Sequence, residues 1–202
     1  MESLALTFTS GWASGINAYL VVLVLGLTER FAPTAEVPDV LARWEVIAVA
    51  GVLYAVEFVA DKVPYVDSAW DAVSTVVRPV VGGVVGALIA ADSADLGELT
   101  GGTVGGASAL ASHAVKAGTR MAANTVPEPF TNIGISLGED VVVLGVVWFA
   151  IEHPYVAAGL AAVLLVTGMV VLWLVIRAVR RGWGGFRAWR ERRRGGSSSP
   201  PP

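Results

Sequence analysis

Two polar blocks in an otherwise apolar chain hold the residues best able to do chemistry. In DKVPYVDSAWDAVSTVVRP, Asp67, Asp71, Thr75 and Arg78 follow one another at steps of four, four and three, which puts them on one face of a helix. In HAVKAGTRMAANTVPEPFTNIGISLGED, His113, Lys116, Arg120 and Asn124 follow at steps of three, four and four and share a face in the same way. Beyond them come Glu128, bracketed by Pro127 and Pro129, then Asn132, Ser136 and the adjacent acids Glu139 and Asp140. The first face is mainly acidic and the second mainly basic. Gathered in a low-dielectric place, they can neutralise one another as a buried ion-pair network, or they can handle an ion, a proton or an anionic head group. The two readings are compatible. Lys116 and Arg120 suit an anionic group. Adjacent carboxylates repel, so Glu139 or Asp140 can carry a proton or a cation.

The elements that must position these residues are membrane spans. Of the 202 residues, 54% are hydrophobic and only 15% charged, and the mean hydropathy is +0.65. Soluble domains carry about 25% charged residues. Six apolar segments approach the roughly 20 residues that a helix needs to cross the hydrocarbon core. They lie near 4–28, 45–60, 75–91, 99–119, 133–151 and 155–176. Lipid cannot satisfy backbone N–H and C=O groups, so these runs read as helices, and they are too long and continuous for barrel strands. The fold class is therefore an all-α membrane protein with about six transmembrane helices. The chain divides into a multi-span domain, 1–178, and a tail, 179–202, that is basic and then Ser/Pro-rich and disordered.

Basic residues orient the spans. Arg177, Arg180, Arg181, Arg187, Arg190, Arg192, Arg193 and Arg194 stand against one acid, Glu191, and place the C-terminus in the cytoplasm. Six full spans then put the N-terminus there too, and both polar blocks gather at the inner leaflet. Arg30 and Arg43, in the first external loop, run against this pattern. The N-terminus has no basic stretch before its apolar run and does not read as a cleaved signal peptide. The implied location is the prokaryotic cytoplasmic membrane, as a multi-pass protein.

Small residues shape the middle of the chain. Gly82/Gly86, Gly101/Gly105 and Gly102/Gly106 give three GxxxG spacings, which predict that the third and fourth spans pair as a tight central hairpin. Asn17 and the Gly11/Gly15 pair interrupt the first span. They form either an ordinary packing notch or a broken helix whose freed backbone groups line a site. Gly15–Arg30 (GINAYLVVLVLGLTER) also echoes Gly138–His153 (GEDVVVLGVVWFAIEH), with a parallel relation for six full spans and an inverted one only if a segment is re-entrant.

Several functions lack their residues. With no cysteine there is no disulfide, thiolate metal site or CxxCH haem attachment. HExxH, GxSxG, a P-loop and a Rossmann glycine motif are all missing. His113 and His153 fall on opposite sides, which argues against a two-histidine metal site. No cofactor is implied, and the positive-inside bias accounts for the arginines without nucleic acid. Asp67 and Asp71 could hold a divalent metal, as paired aspartates do in membrane phospho-alcohol transferases, but the rest of that signature is missing.

FVADKVPYVDSAWDAVSTVVRPVVGG, HAVKAGTRMAANTVPEPFTNIGISLGED and the opening SGINAYL together resemble a prokaryotic membrane family, domain of unknown function 4126, over about Gly11–Trp173. The resemblance implies a small multi-span membrane protein and supplies no catalytic residues. The functional expectation from the residues is a non-enzymatic, transporter- or permease-like protein. Its polar site lies near the cytoplasmic leaflet and takes a small ion, an anion or a lipid head group; its partners are the bilayer and, in a homo-oligomer, a second copy of the chain. The alternatives are a membrane scaffold or assembly factor and, third, a metal-dependent enzyme acting on lipid head groups.

Overall fold

In the computed structural model the chain is all-helical. The structure describes the backbone of residues 1–61, 66–94, 96–123 and 129–195, and the side chains of the same residues except 67–68, 122–123, 129–132 and 182–195. Six α-helices follow in order: α1 (Glu2–Phe31), α2 (Trp44–Ala60), α3 (Val66–Ala91), α4 (Glu98–Ala123), α5 (Pro129–Glu152) and α6 (Pro154–Gly195). A short 3-10 turn, Asp39–Ala42, leads into α2. Four helices are long and apolar enough to cross a membrane: α1, α3, α5 and α6. The other two fall short for different reasons. At 17 residues, α2 spans only about 25 Å, while α4 is long enough but carries many Gly, Ser and Thr residues together with His113, Lys116 and Arg120.

The exposure of the helices reverses the usual order of a soluble protein. The apolar stretch of α6 is only 6% buried within the protein, and its Val163, Val166, Val170 and Trp173 point outward. The matching stretch of α1 is 67% buried and packs against all five other helices. The outermost helix is thus the most apolar, as expected when lipid rather than water surrounds the bundle.

A single residue sets the path of α1. Asn17 has φ −148° and ψ 96°, extended values in the middle of a helix. Before it, residues 2–16 run parallel to α4. A Cβ on Gly11 would strike Gly105 and Ser108, and one on Gly15 would strike Ala109 and Ser112. The same arm runs antiparallel to α3, with Thr7 beside Gly86 and Ser14 beside Gly82. After Asn17 the direction changes. Leu23 meets Gly51, and Gly26 packs on Leu41 and Ile47, so residues 18–31 run antiparallel to α2. Both α2 and α4 run towards the level of Glu57, Asp61, Lys116 and Arg120. The first arm therefore descends to that level and the second climbs away from it. α1 is a bent hairpin with its tip at Asn17, not the single continuous span that its composition suggests.

Helices α3 and α4 pair through their glycines, as the GxxxG spacings predict. A Cβ on Gly105 would collide with the Gly82 carbonyl, and Cβ atoms on Gly86 and Gly101 would each collide with the other's backbone. Gly83 and Gly106 face each other less tightly, with a Cβ on Gly83 falling at an ordinary contact distance of 3.7 Å from the Gly106 Cα. The centre of the bundle, however, is α1, which uses Gly11 and Gly15 to seat itself on this hairpin. The Gly11/Gly15 pair is a packing notch, and the break lies two residues beyond it.

Helix α6 continues to Gly195, through the position near 178 where composition places the end of the membrane domain. The SSSPPP segment, 197–202, lies outside the described residues.

Candidate functional site

The tip of α1 sits in a knot of ionisable side chains drawn from α2, α3, α4 and α5. The end of α2 delivers Glu57 and Asp61, one turn apart on one face. The first half of α3 delivers Asp71, Thr75 and Arg78. Pro79 follows Arg78 and, having no N–H, leaves the Thr75 carbonyl without its helical partner. The last turns of α4 deliver His113, Lys116 and Arg120, and α5 delivers Ser136, Glu139 and Asp140. Glu57, Asp61, Arg78, His113, Lys116, Arg120, Ser136 and Asp140 are buried.

Arg78 anchors one half. Its Nη2 donates to Glu57 Oε1, and both side chains are only 1% exposed. Its Nη1 reaches Asp71 Oδ1 at 3.4 Å and donates to His113 Nδ1 at 2.9 Å. Across the ring, His113 Nε2 lies 3.0 Å from the Thr75 hydroxyl, which spends its own proton on the Asp71 carbonyl at 2.9 Å. Arginine can only donate and this hydroxyl can only accept, so His113 is a neutral imidazole with its proton on Nε2.

Lys116 and Arg120 anchor the other half. Arg120 Nη2 donates to Asp61 Oδ2 at 2.9 Å and to Glu139 Oε2 at 3.4 Å. Lys116 Nζ pairs with Glu139 Oε2 at 3.0 Å and lies 3.8 Å from Asp61 Oδ2. Ser136 adds a hydrogen bond to Asp61 Oδ2 at 3.2 Å.

The same groups hold the α1 tip. Lys116 Nζ donates to the Ile16 carbonyl at 2.7 Å, an acceptor freed where the helix breaks. Asn17 Oδ1 accepts from Leu20 N–H at 3.0 Å, capping the second arm as an N-cap residue does. Asn17 Nδ2 donates to Asp140 Oδ1 at 2.9 Å, and Tyr54 Oη donates to Asp140 Oδ2 at 3.3 Å. Asn17 thus joins two half-helices and a buried carboxylate. Truncation in Asn17→Ala removes the cap and one of the carboxylate's two partners. We expect it to cost about 1–2 kcal/mol, read as a lower unfolding midpoint in detergent, whereas Asn17→Asp, which keeps the cap but faces Asp140 with a second carboxylate, should be the more damaging change.

Among the described residues the network is not balanced. Five carboxylates (Glu57, Asp61, Asp71, Glu139, Asp140) face three permanent cations (Arg78, Lys116, Arg120). Glu57 Oε2 and Asp61 Oδ1 are buried without a hydrogen-bond partner, as are Arg78 Nε and Arg120 Nη1. Such groups are rare in native interiors and call for a water, an ion or a proton. A cavity of about 110 Å³ adjoins the network between α1, α4, α5 and α6. Its walls include Trp12, Ser112, Lys116, Thr119, Glu139 and Leu165. Several waters fit in that volume.

A family model described as domain of unknown function (DUF4126) matches residues 4–174. The chain belongs to this family. No curated protein and no solved structure matches it. The DUF4126 match takes in the α1 hairpin and every network residue, and it ends before the arginines of α6. The sequence expectation of a match over about 11–173 is thereby extended to the start of α1.

Of the residues singled out from sequence, Asp71, Arg78, His113, Lys116, Arg120, Glu139, Asp140 and Asn17 come together in this network. The side chains of Asp67 and Asn132 lie outside the described residues, as does Glu128 altogether. Sequence reasoning missed Glu57, Asp61 and Tyr54. A lone carboxylate in VLYAVEFVAD, one turn before another, was the available signal, because a charge inside an apolar run needs a partner. Among the described residues no group of three or more His, Asp or Glu side chains converges as metal ligands, and Asp71 is engaged by Arg78.

The echo between Gly15–Arg30 and Gly138–His153 has a structural counterpart. Asn17 and Asp140 occupy the same place in the two stretches and hydrogen-bond to each other. The second arm of α1 and helix α5 both start at the network and run away from it. The two stretches therefore run parallel.

Proposed function

We propose that this protein is a small transporter or permease-like protein of the prokaryotic cytoplasmic membrane, with the network around Asn17 as its polar site. The observation that carries the reading is the hairpin tip. A backbone break within an apolar bundle survives only where protein buries it or water reaches it, and transporters place such discontinuous helices at their ion and substrate sites. Here the break meets five carboxylates and three cations, with unpartnered buried oxygens on Glu57 and Asp61 and a cavity lined by Lys116 and Glu139. Lys116 and Arg120 attract an anionic group, and the surplus carboxylates carry a proton or a cation.

Orientation follows the arginines. Helix α6 passes the network level, with Gly168 against Val115 and Leu172 against Gly118, and then reaches Arg177, Arg180 and Arg181. The positive-inside rule puts that end in the cytoplasm. On this reading α3, α5 and α6 cross the bilayer, the shorter α2 and the more polar α4 make the return passes against protein, and α1 dips in from outside and returns. The N-terminus then faces outward, in place of the cytoplasmic N-terminus that six full spans require. The site lies towards the inner leaflet.

Flux into proteoliposomes is the test, with ions, small charged metabolites and lipids offered in turn. We expect flux of one class, largely lost in Arg120→Ala. No flux of any class from a folded, correctly inserted protein would remove the proposal. A second reading, a non-catalytic scaffold or assembly factor, draws on the sealed Glu57–Arg78 pair. It predicts one stable protein partner in membrane crosslinking and no flux.

A further inference from the structure

We infer that Asp140 is the coupling-ion site of the proposed transporter and that the ion is a proton, held as the neutral carboxylic acid. The inference rests on the transporter reading for its role, but the proton site stands on its own geometry. Asp140 is buried and, among the described residues, its carboxylate pairs with no cation; its partners are the Asn17 amide and the Tyr54 hydroxyl. Every other carboxylate of the network has an arginine or lysine within ion-pair distance.

The ligand chemistry separates a proton from a metal cation. A metal cation needs several oxygens around it. Asn17 turns its oxygen to Leu20 N–H, and the Ile16 carbonyl is taken by Lys116. What faces Asp140 is an N–H donor and a hydroxyl. A tyrosine hydroxyl can donate to a carboxylate and, after rotation, accept from a carboxylic acid. Tyr54 therefore serves both protonation states, while Asn17 Nδ2 stays on the other oxygen. In the step a hydronium ion gives one proton to Asp140 Oδ2: its O–H bond breaks and leaves water, the carboxyl O–H bond forms, and the Tyr54 hydroxyl turns from donor to acceptor.

The charged and titratable groups that act on Asp140 are Tyr54 and Asp61 from α2 and Lys116 from α4, with Glu139 next to it on its own helix. Asn17 is the polar group from α1, and α6 presents Leu164 and Leu165 to the adjoining cavity. Glu139 lines that cavity and is the member of the pair that water reaches; Asp140 points the other way, to the α1 tip. A carboxylate that loses its charge holds the Asn17 amide less tightly, so proton binding loosens the tip of the hairpin.

Infrared difference spectra of the full chain in lipid nanodiscs, between acidic and alkaline buffer, read this directly. The expected result is a protonated-carboxyl C=O band that titrates, shifts on isotopic labelling of aspartate, vanishes in Asp140→Asn and survives Glu139→Gln. Tyr54→Phe should move its frequency, because the acid loses its acceptor. Should Asp140→Asn not fold, Asp140→Glu serves instead: the band should persist but lose its sensitivity to labelled aspartate. A band absent throughout, unmoved by aspartate label, or unchanged in the Asp140 variants overturns the assignment. If the band behaves as expected while proteoliposomes show no flux of any species, the proton site stands and the transporter reading fails. If proton-linked flux persists in Asp140→Asn, the coupling role fails while the transporter reading stands.

Discussion

Arg78→Ala should be the most destabilising single change in the network, lowering stability by about 3–5 kcal/mol, the usual cost of stranding one partner of a buried ion pair. Arg78 is 1% exposed and holds Glu57, Asp71 and His113 together. Without it, Glu57 stays in the interior as a carboxylate with no cation on either oxygen, because Oε2 already has no partner. His113 loses the donor that fixes its tautomer. The pair itself adds much less than this, because desolvation offsets most of its attraction. The double variant Glu57→Leu/Arg78→Leu should therefore recover most of the loss. Unfolding midpoints in detergent for wild type, both singles and the double decide it. Additive losses in the double variant would show that the two side chains do not act as a pair.

The second large effect belongs to the glycines. Gly105→Ala should cost about 1–3 kcal/mol, as overpacking of a tight interior does, and Gly105→Leu more. The new Cβ meets the Gly82 carbonyl and comes within 3.2 Å of the Gly86 Cα, so backbone rather than a side-chain end must move. Gly145→Ala on α5 is the control. Nothing lies within 4 Å of its Cβ position, and the same substitution there should be neutral or stabilise by up to about 1 kcal/mol. Helicity and unfolding midpoint, measured side by side, separate the two. Equal effects would mean that helix propensity, not the α3–α4 contact, governs both.

Both results bear on how the site works. The α3–α4 hairpin is stiff because glycine brings its backbones together, and α1 rests on it through Gly11 and Gly15. The first arm of α1 is thus held by close packing on this hairpin, the second by Gly26 against Leu41 and Ile47, and the tip by hydrogen bonds to Lys116 and Asp140. Packing fixes the arms, and the polar bonds at the tip can change with charge.

The sequence by itself determined the helices, their apolar character and the faces that carry charge. Those features are local: a run of apolar residues, a spacing of three or four, a GxxxG pair. The steps from Asp71 to Arg78 and from His113 to Arg120 were enough to place each set on one side of its helix, and small-residue spacing was enough to pair α3 with α4. Tertiary structure decided the rest. The run LALTFTSGWASGINAYLVVLVLGLTERF offers Asn17 as a place for a break, and the break is there, but one notched span and two arms have the same composition. The choice is made at Asn17 by partners far along the chain, Lys116 for the freed carbonyl and Asp140 for the amide. Glu57 and Asp61 were hidden for the same reason. A carboxylate in an apolar stretch becomes part of a site only when a distant cation, here Arg78 or Arg120, arrives to hold it.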